Sequence, residues 1–380
     1  MHHNHFASSH DSTVNKEKLA LRTFQLSLSQ VIFQVSTMSL SSCKDPASQD
    51  EHQLLQRAAM DKLSFPTPPI NWRPGSSPQP PTSFGEDFKP PAERENLLLA
   101  MVHAHHRDVC IIFFPEQHRY EICYTPALGS VTELVQQLTR PFNADIAIEN
   151  MMKSKRWPRP EYTVPNGVPM SREEIKEKWR LQGTESANLG TWTHHLIELF
   201  LNGEIVRYHS KEIELFLKFL ATLNHCVSYR TEWRVFAEDL KLAGSIDFVA
   251  KAEDETMIII DWKRSKDLGA KYDNNYENML PPLHNLPDCK GIHYRLQLNV
   301  YRYILEQYYG FRVSSMLVVS VHPDYDRPFV DIVPRMEEAV SALIDYQYSR
   351  IRNESQCCEP IAKRCRNDLK KKKELQCNYN

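Results

Sequence analysis

The densest hydrophobic patterning lies in three short runs near the middle of the chain, 227–236 (VSYRTEWRVF), 244–251 (GSIDFVAK) and 256–263 (TMIIIDWK). They are rich in β-branched and aromatic residues and close together, which predicts a meander of three strands. Upstream, 110–114 (CIIFF) and 120–124 (YEICY) predict a hairpin. Helices are predicted to open at Ser130 with Glu133 and at Ser171 with Glu174, because Ser-x-x-Glu lets each side chain satisfy a backbone N–H at the helix start. Further helices are predicted over about 185–202 and 211–224. Downstream come a long loop after Asp267, a helix over about 291–309 ended by Gly310, strands at 313–321 and near 329–333, and a last helix led by Pro334. This succession of strands and helices places an α+β domain at 105–355.

The flanks read differently. Residues 1–95 are His-, Ser- and Pro-rich, with a proline-dense run from Phe65 to Pro91, and such composition buries too little apolar surface to offset chain entropy. They are expected to be a disordered leader, whose middle (KLALRTFQLSLSQVIFQVS) suits a mitochondrial transit segment or a plain linker. Residues 356–380 form a basic tail, with Lys363, Arg364, Arg366 and Lys370 to Lys373, that reads equally as a nuclear address or a solvated, disordered terminus. An intracellular location follows, mitochondrion or nucleus undecided. With 46 Lys and Arg against 48 Asp and Glu, any polyanion-binding surface must come from local patches. Nine cysteines without regular spacing argue against a disulfide framework and for a reducing compartment. No run of about 18 apolar residues is present, so no membrane association is expected.

Strand geometry locates the chemistry. Side chains alternate along a strand, so Asp261 and Lys263 share one face while Ile258, Ile260 and Trp262 occupy the other. The hairpin between the second and third strands centres on residue 254, which sets Asp247 across from Asp261. Two close, deep carboxylates repel, and a hard divalent cation between them removes the conflict. The alternative is an ordinary turn aspartate beside an Asp261–Lys263 ion pair. On the helix at 185–202, His194 and Glu198 are four apart and share a face; on the later helix, so do Gln297 and Tyr301.

These segments resemble a known family. GTWTHHLIE (190–198), GSID (244–247), IIIDWK (258–263) and QLNVY (297–301) are similar, in order and spacing, to the motifs of RecB-type nucleases in the PD-(D/E)XK superfamily, over about 105–345. Within that branch the chain looks most like stand-alone exonucleases of mitochondrial genome maintenance and of viruses and phages. The resemblance implies a restriction-endonuclease-like α+β core, a central mixed β-sheet flanked by helices, and Mg²⁺- or Mn²⁺-dependent hydrolysis of DNA. The implied substrate is single-stranded or flapped DNA, attacked as an exonuclease during DNA maintenance, repair or replication. It also implies that Asp247 and Asp261 bind metal with His194 and the main-chain carbonyl of Trp262, and with Glu198 as a further ligand. Lys263 corresponds to the lysine that orients the attacking water, and Gln297 and Tyr301 to residues that support the site. Glu232, between Arg230 and Arg234, is read as a weaker candidate that could simply pair with those arginines.

Because a histidine must be neutral to ligate, activity is expected to fall below about pH 6. Lys153, Lys155, Arg156, Trp157 and Arg159 interleave cations with an aromatic residue and are expected to track a nucleic-acid strand. Cys357, Cys358, Cys365 and Cys377 lack a cluster spacing, so no iron-sulfur cluster is expected. There is no GxxxxGK[ST] segment, which leaves unwinding to a separate helicase or the partnership of a polymerase. The competing reading is a catalytically inactive nucleic-acid-binding scaffold on the same fold.

Overall fold

The three strands from the middle of the chain form an antiparallel meander at one side of a mixed sheet in the computed structural model. The structure describes residues 97–354 apart from 224, 267, 269–271 and 273–276, together with 78–92 and positions 69, 72, 73 and 75. Most of the leader and the whole of the basic tail, including its four cysteines, lie outside the described residues.

A short helix, α1 (Leu98–Val102), leads into the hairpin of β1 (Ile111–Phe114) and β2 (Arg119–Ile122), onto which β3 (Thr125–Pro126) folds back. β4 (Gly129–Ser130) then runs into α2 (Val131–Gln136), and Ser130 with Glu133 forms the expected reciprocal cap. Next come α3 (Ala144–Met152), α4 (Arg172–Leu201) and α5 (Lys211–Leu220), followed by β5 (Cys226–Ala237), β6 (Leu242–Ala252) and β7 (Met257–Lys263). The chain continues through α6 (Lys290–Tyr308), β8 (Val313–Ser320), β9 (Phe329–Ile332) and α7 (337–354). Among the described residues no helix is long and apolar enough to cross a membrane.

One expectation is corrected. The helices predicted to open at Ser171 and near 185 are a single 30-residue helix, α4, capped by the Ser171–Glu174 box. Gly183 and Gly190 do not break it: each costs about 1 kcal/mol against alanine, less than a buried face returns. That face, with Trp192, Leu196, Leu199 and Phe200 buried, packs against the sheet.

The sheet runs β4-β6-β7-β8-β9, with β5 along the other edge of β6. Pairs β4–β6 and β7–β8 are parallel and the rest antiparallel. β7 is covered on both faces, which explains its near-continuous apolar run. Ile259 points into a core built with α2, α6 and α7, while Ile258, Ile260 and Trp262 point into a second core built with α4 and α5. Phe84 and Phe88, from the proline-dense run, pack on the second core, and Asn188 of α4 donates to the carbonyls of Phe84 and Gly85.

The edge of β6 opposite β5 is shared. β4 pairs with Leu242 and Ala243, and β7 with Phe248 to Lys251, so residues 244–247 between them have no ladder partner on that side among the described residues. The site opens there.

Candidate active site

The β6–β7 ladder follows the register predicted from its hairpin, ending at the pair Phe248–Ile260. Asp247 and Asp261 are the next residues on each strand. Beyond that pair the strands part, and Asp247 Oδ2 accepts a 2.9 Å hydrogen bond from the Trp262 N–H. On the opposite edge of β6, the pairs Thr231–Phe248 and Trp233–Ile246 place Glu232 beside Asp247. Glu232 has φ 42°, in the left-handed region that residues other than glycine rarely adopt, and Ser245 Oγ donates to its Oε2 at 3.0 Å. Such strain persists where the surroundings over-determine it, as they do at binding sites.

From α4, His194 reaches these carboxylates across the sheet face. Its Nδ1 lies 3.6 Å from Asp247 Oδ2 and 3.8 Å from Glu232 Oε1. Its Nε2 lies 2.9 Å from the Trp262 carbonyl oxygen, which can only accept, so Nε2 carries a proton. One donor atom from each of His194, Glu232 and Asp247 falls within 4.8 Å of the others. Asp261, only 2% exposed, does not join this trio; its Oδ2 pairs with Lys263 Nζ at 2.5 Å. The Lys263 ammonium also lies 4.9 Å from the ring centre of Tyr294 on α6.

Burial dominates the electrostatics. It lifts Asp261 to about 6 against the pull of Lys263, and raises Asp247 against the pull of His194 and Lys263. Burial also opposes charge on His194, but Asp247 and Glu232 outweigh it and raise the imidazole to about 9. For Lys263, Asp261 and Asp247 likewise overcome burial and hold the ammonium charged. Around neutral pH a proton on His194 therefore does the work of a cation between two carboxylates. This differs from the expectation of a neutral imidazole above pH 6, since the carboxylates favour its charged form.

The donor set fits a divalent metal. One imidazole nitrogen and two carboxylate oxygens converge where positive charge is already favoured, beside a further buried carboxylate. The site borders a cleft of about 1240 Å³, lined by His194, Glu198, Glu232 and Lys263 on one side and by Phe113, His118 and Tyr120 of the β1–β2 hairpin on the other.

The other expected residues distribute as follows. Glu198 lines the same cleft one turn after His194. The Trp262 carbonyl, expected among the ligands, is engaged by His194 and so orients the ring. Gln297 and Tyr301 are hydrogen-bonded to each other, with Tyr301 buried in the core on the α6 side of the sheet. The Tyr301 hydroxyl lies 2.6 Å from where a Cβ on Gly244 would sit, so only glycine admits it at the open stretch of β6. Lys153, Lys155, Arg156, Trp157 and Arg159 do not line the cleft. Lys153 pairs with Glu149, and Trp157 stacks on Tyr162, whose hydroxyl accepts from Trp179. Trp179 precedes His194 by fifteen residues on α4, about 22 Å along the axis.

Sequence reasoning undervalued Glu232 and overlooked the cleft's own cations. Arg230, expected as a partner of Glu232, instead pairs with Asp108 at 2.7 Å, and Arg264 pairs with Glu212 at 2.8 Å. Extending the register argument to the β5–β6 hairpin would have placed Glu232 opposite Asp247.

Comparison with known families agrees with this geometry: the model of the PD-(D/E)XK nuclease superfamily matches residues 169–367, just over half of the chain. The chain belongs to the PD-(D/E)XK nuclease superfamily. The match begins next to α4 and includes His194, Glu232, Asp247, Asp261 and Lys263. PD-(D/E)XK proteins are nucleases that typically use divalent metals, and their fold is the mixed sheet between helices described above. No curated protein matches the chain.

Proposed function

We propose that this PD-(D/E)XK protein is an Mg²⁺- or Mn²⁺-dependent deoxyribonuclease of the RecB-type branch, an exonuclease acting on single-stranded or flapped DNA in DNA maintenance, repair or replication. The observation that carries the reading is the convergence of His194 Nδ1, Glu232 and Asp247 beside the buried Asp261–Lys263 pair at the edge of a cleft.

His194, Glu232 and Asp247 would hold the divalent ion. When bound, the ion polarises a phosphate oxygen and lowers the pKa of water. The chain's own residues supply the rest. His194 keeps its Nδ1 aimed at the carboxylates because Nε2–H is anchored on Trp262. Lys263, steadied by Asp261 and the Tyr294 ring, presents a fixed positive charge to the phosphate, where excess negative charge develops as the phosphodiester is attacked. Arg234 adds positive charge to the cleft for a neighbouring phosphate, while Arg230 and Arg264 are held in ion pairs with Asp108 and Glu212. The aromatic side chains of the hairpin wall favour unpaired bases over a duplex. The stretch from Lys153 to Arg159 serves a more distant part of the strand.

The test is incubation of the purified full chain with end-labelled single-stranded, flapped and duplex DNA plus Mg²⁺ or Mn²⁺. Progressive shortening of the single-stranded and flapped substrates, lost in Asp247→Asn, supports the reading. Binding without cleavage would favour the inactive scaffold. Duplex substrates should require an added helicase, and microscopy of the tagged full chain distinguishes mitochondrion from nucleus.

A further inference from the structure

Two thiols outside the active site face each other at the base of the cleft wall. Cys110 immediately precedes β1 and Cys123 immediately follows β2, and the adjacent residues Ile111 and Ile122 are paired across the hairpin. One hydrogen bond lies beyond the last ladder pair: the Cys123 N–H, at the start of the β2–β3 turn, donates at 2.7 Å to the carbonyl of Cys110, which ends a 3-10 turn. Cys110 and Cys123 are therefore an opposed cross-strand pair. Opposed residues of antiparallel strands have Cα atoms about 4.5–5.5 Å apart, within the range of about 4.4–6.8 Å that a disulfide spans. Cys123 is exposed and Cys110 partly so, and a small oxidant reaches both. The backbone on that side is held in place: Cys123 and Tyr124 have φ of 47° and 64° in the tight turn that closes Ile122 against Thr125. The other described thiols, Cys226 and Cys289, sit on β5 and just before α6.

We propose that Cys110 and Cys123 form a dithiol modification site, oxidised by a hydroperoxide to a reversible cross-strand disulfide that staples the β1–β2 hairpin. The inference is independent of the nuclease reading. The neighbouring Cys110 side chain, ahead of burial, raises the Cys123 thiol and keeps its proton in place. The chemistry balances in two steps. The Cys110 thiol passes its proton to solvent as its sulfur attacks the peroxide; the O–O bond breaks, a sulfenic acid forms, and the departing alkoxide takes a proton back from solvent to leave as the alcohol, or as water when the oxidant is hydrogen peroxide. The Cys123 sulfur then attacks the sulfenic sulfur; the S–S bond forms, the S–O bond breaks, and the departing hydroxide takes the Cys123 proton as water. Two electrons pass from the sulfur pair to the peroxide, and a small dithiol restores both thiols. Because Phe113, His118 and Tyr120 lie between the two cysteines and line the cleft, the new bond fixes the cleft wall to its own turn.

The full chain is treated with hydrogen peroxide, the remaining thiols are alkylated, and the protein is digested for peptide mapping by mass spectrometry. The expected result is a peptide linking Cys110 to Cys123, lighter by two hydrogens than its reduced parts, formed ahead of any link through Cys226 or Cys289 and removed by dithiothreitol. In Cys123→Ser the linked peptide is lost and Cys110 is recovered as a sulfenic acid trapped by dimedone. If Cys110 and Cys123 both remain fully alkylatable after peroxide, or if each links to other cysteines and not to the other, the proposal is overturned. Mapping of the unmutated chain decides this whether or not the variants fold, and without reference to nuclease activity.

Discussion

His194 and Trp262 are joined by a 2.9 Å hydrogen bond from the imidazole Nε2–H to the main-chain carbonyl, and this bond decides which ring nitrogen faces Asp247 and Glu232. It also links α4 to the end of β7, so the helix and the strand arrive at the site as one unit. The stability of that unit depends on pH. His194 titrates near 6.5 when unfolded and at about 9 when folded, so its stabilising contribution is complete below about 6.5 and lost as the pH rises through about 9. Urea unfolding of the protein in chelator should show falling stability from pH 7 to pH 9.5, and His194→Gln should flatten that slope.

Glu232 should matter for binding more than its sequence setting suggests. Glu232→Gln keeps the shape and the bond from Ser245 but removes one of the two charges facing His194 Nδ1. Mn²⁺ affinity measured by calorimetry should fall about 10–100-fold. An unchanged affinity would remove Glu232 from the site.

Lys263 should affect turnover and leave metal uptake intact. Lys263→Met deletes the fixed charge and leaves Asp261 buried without its 2.5 Å partner, so the Asp261 carboxyl rises further above about 6. The cleavage rate should fall by about 10²–10³-fold, as when a positioned electrostatic donor is lost. Mn²⁺ binding through His194, Glu232 and Asp247 should persist, and loss of binding would contradict the division of roles.

Gly244 offers a purely structural test. A Cβ there would meet the Tyr301 hydroxyl at 2.6 Å and its ring edge at 2.8 Å, both on a fully buried side chain. Gly244→Ala should lower stability in urea by about 1–3 kcal/mol, the usual cost of overpacking a dense core. Tyr301→Phe leaves the ring edge in place and should not rescue it.

The β6–β7 register was readable because a hairpin with a short acidic turn admits one alignment that keeps Ile258 and Ile260 on the same core face, and that alignment puts Asp247 and Asp261 next in line. The capping boxes at Ser130 and Ser171 were equally legible, being local. The continuity of α4 was not, since Gly183 weakens the pattern and only tertiary packing of Trp192, Leu196 and Phe200 compensates. Glu232 was hidden for a different reason. Between Arg230 and Arg234 it looks like half of a surface ion pair, and only the fold shows Arg230 turned to Asp108 and Glu232 twisted to positive φ beside Asp247. The residues from Lys153 to Arg159 suggested a nucleic-acid surface by composition alone, and composition carries no information about distance from His194.

The central claim is that His194, Glu232 and Asp247 form a divalent-cation site in which a proton on His194 occupies the cation's electrostatic place. Isothermal titration calorimetry with Mn²⁺ at pH 7, repeated in buffers of different ionisation enthalpy, tests it most directly. Because the imidazole titrates at about 9, binding through Nδ1 should release about one proton per ion, and affinity should rise about tenfold between pH 7 and pH 8. Absence of Mn²⁺ uptake, or uptake with no proton release and no change in affinity between those pH values, would contradict it.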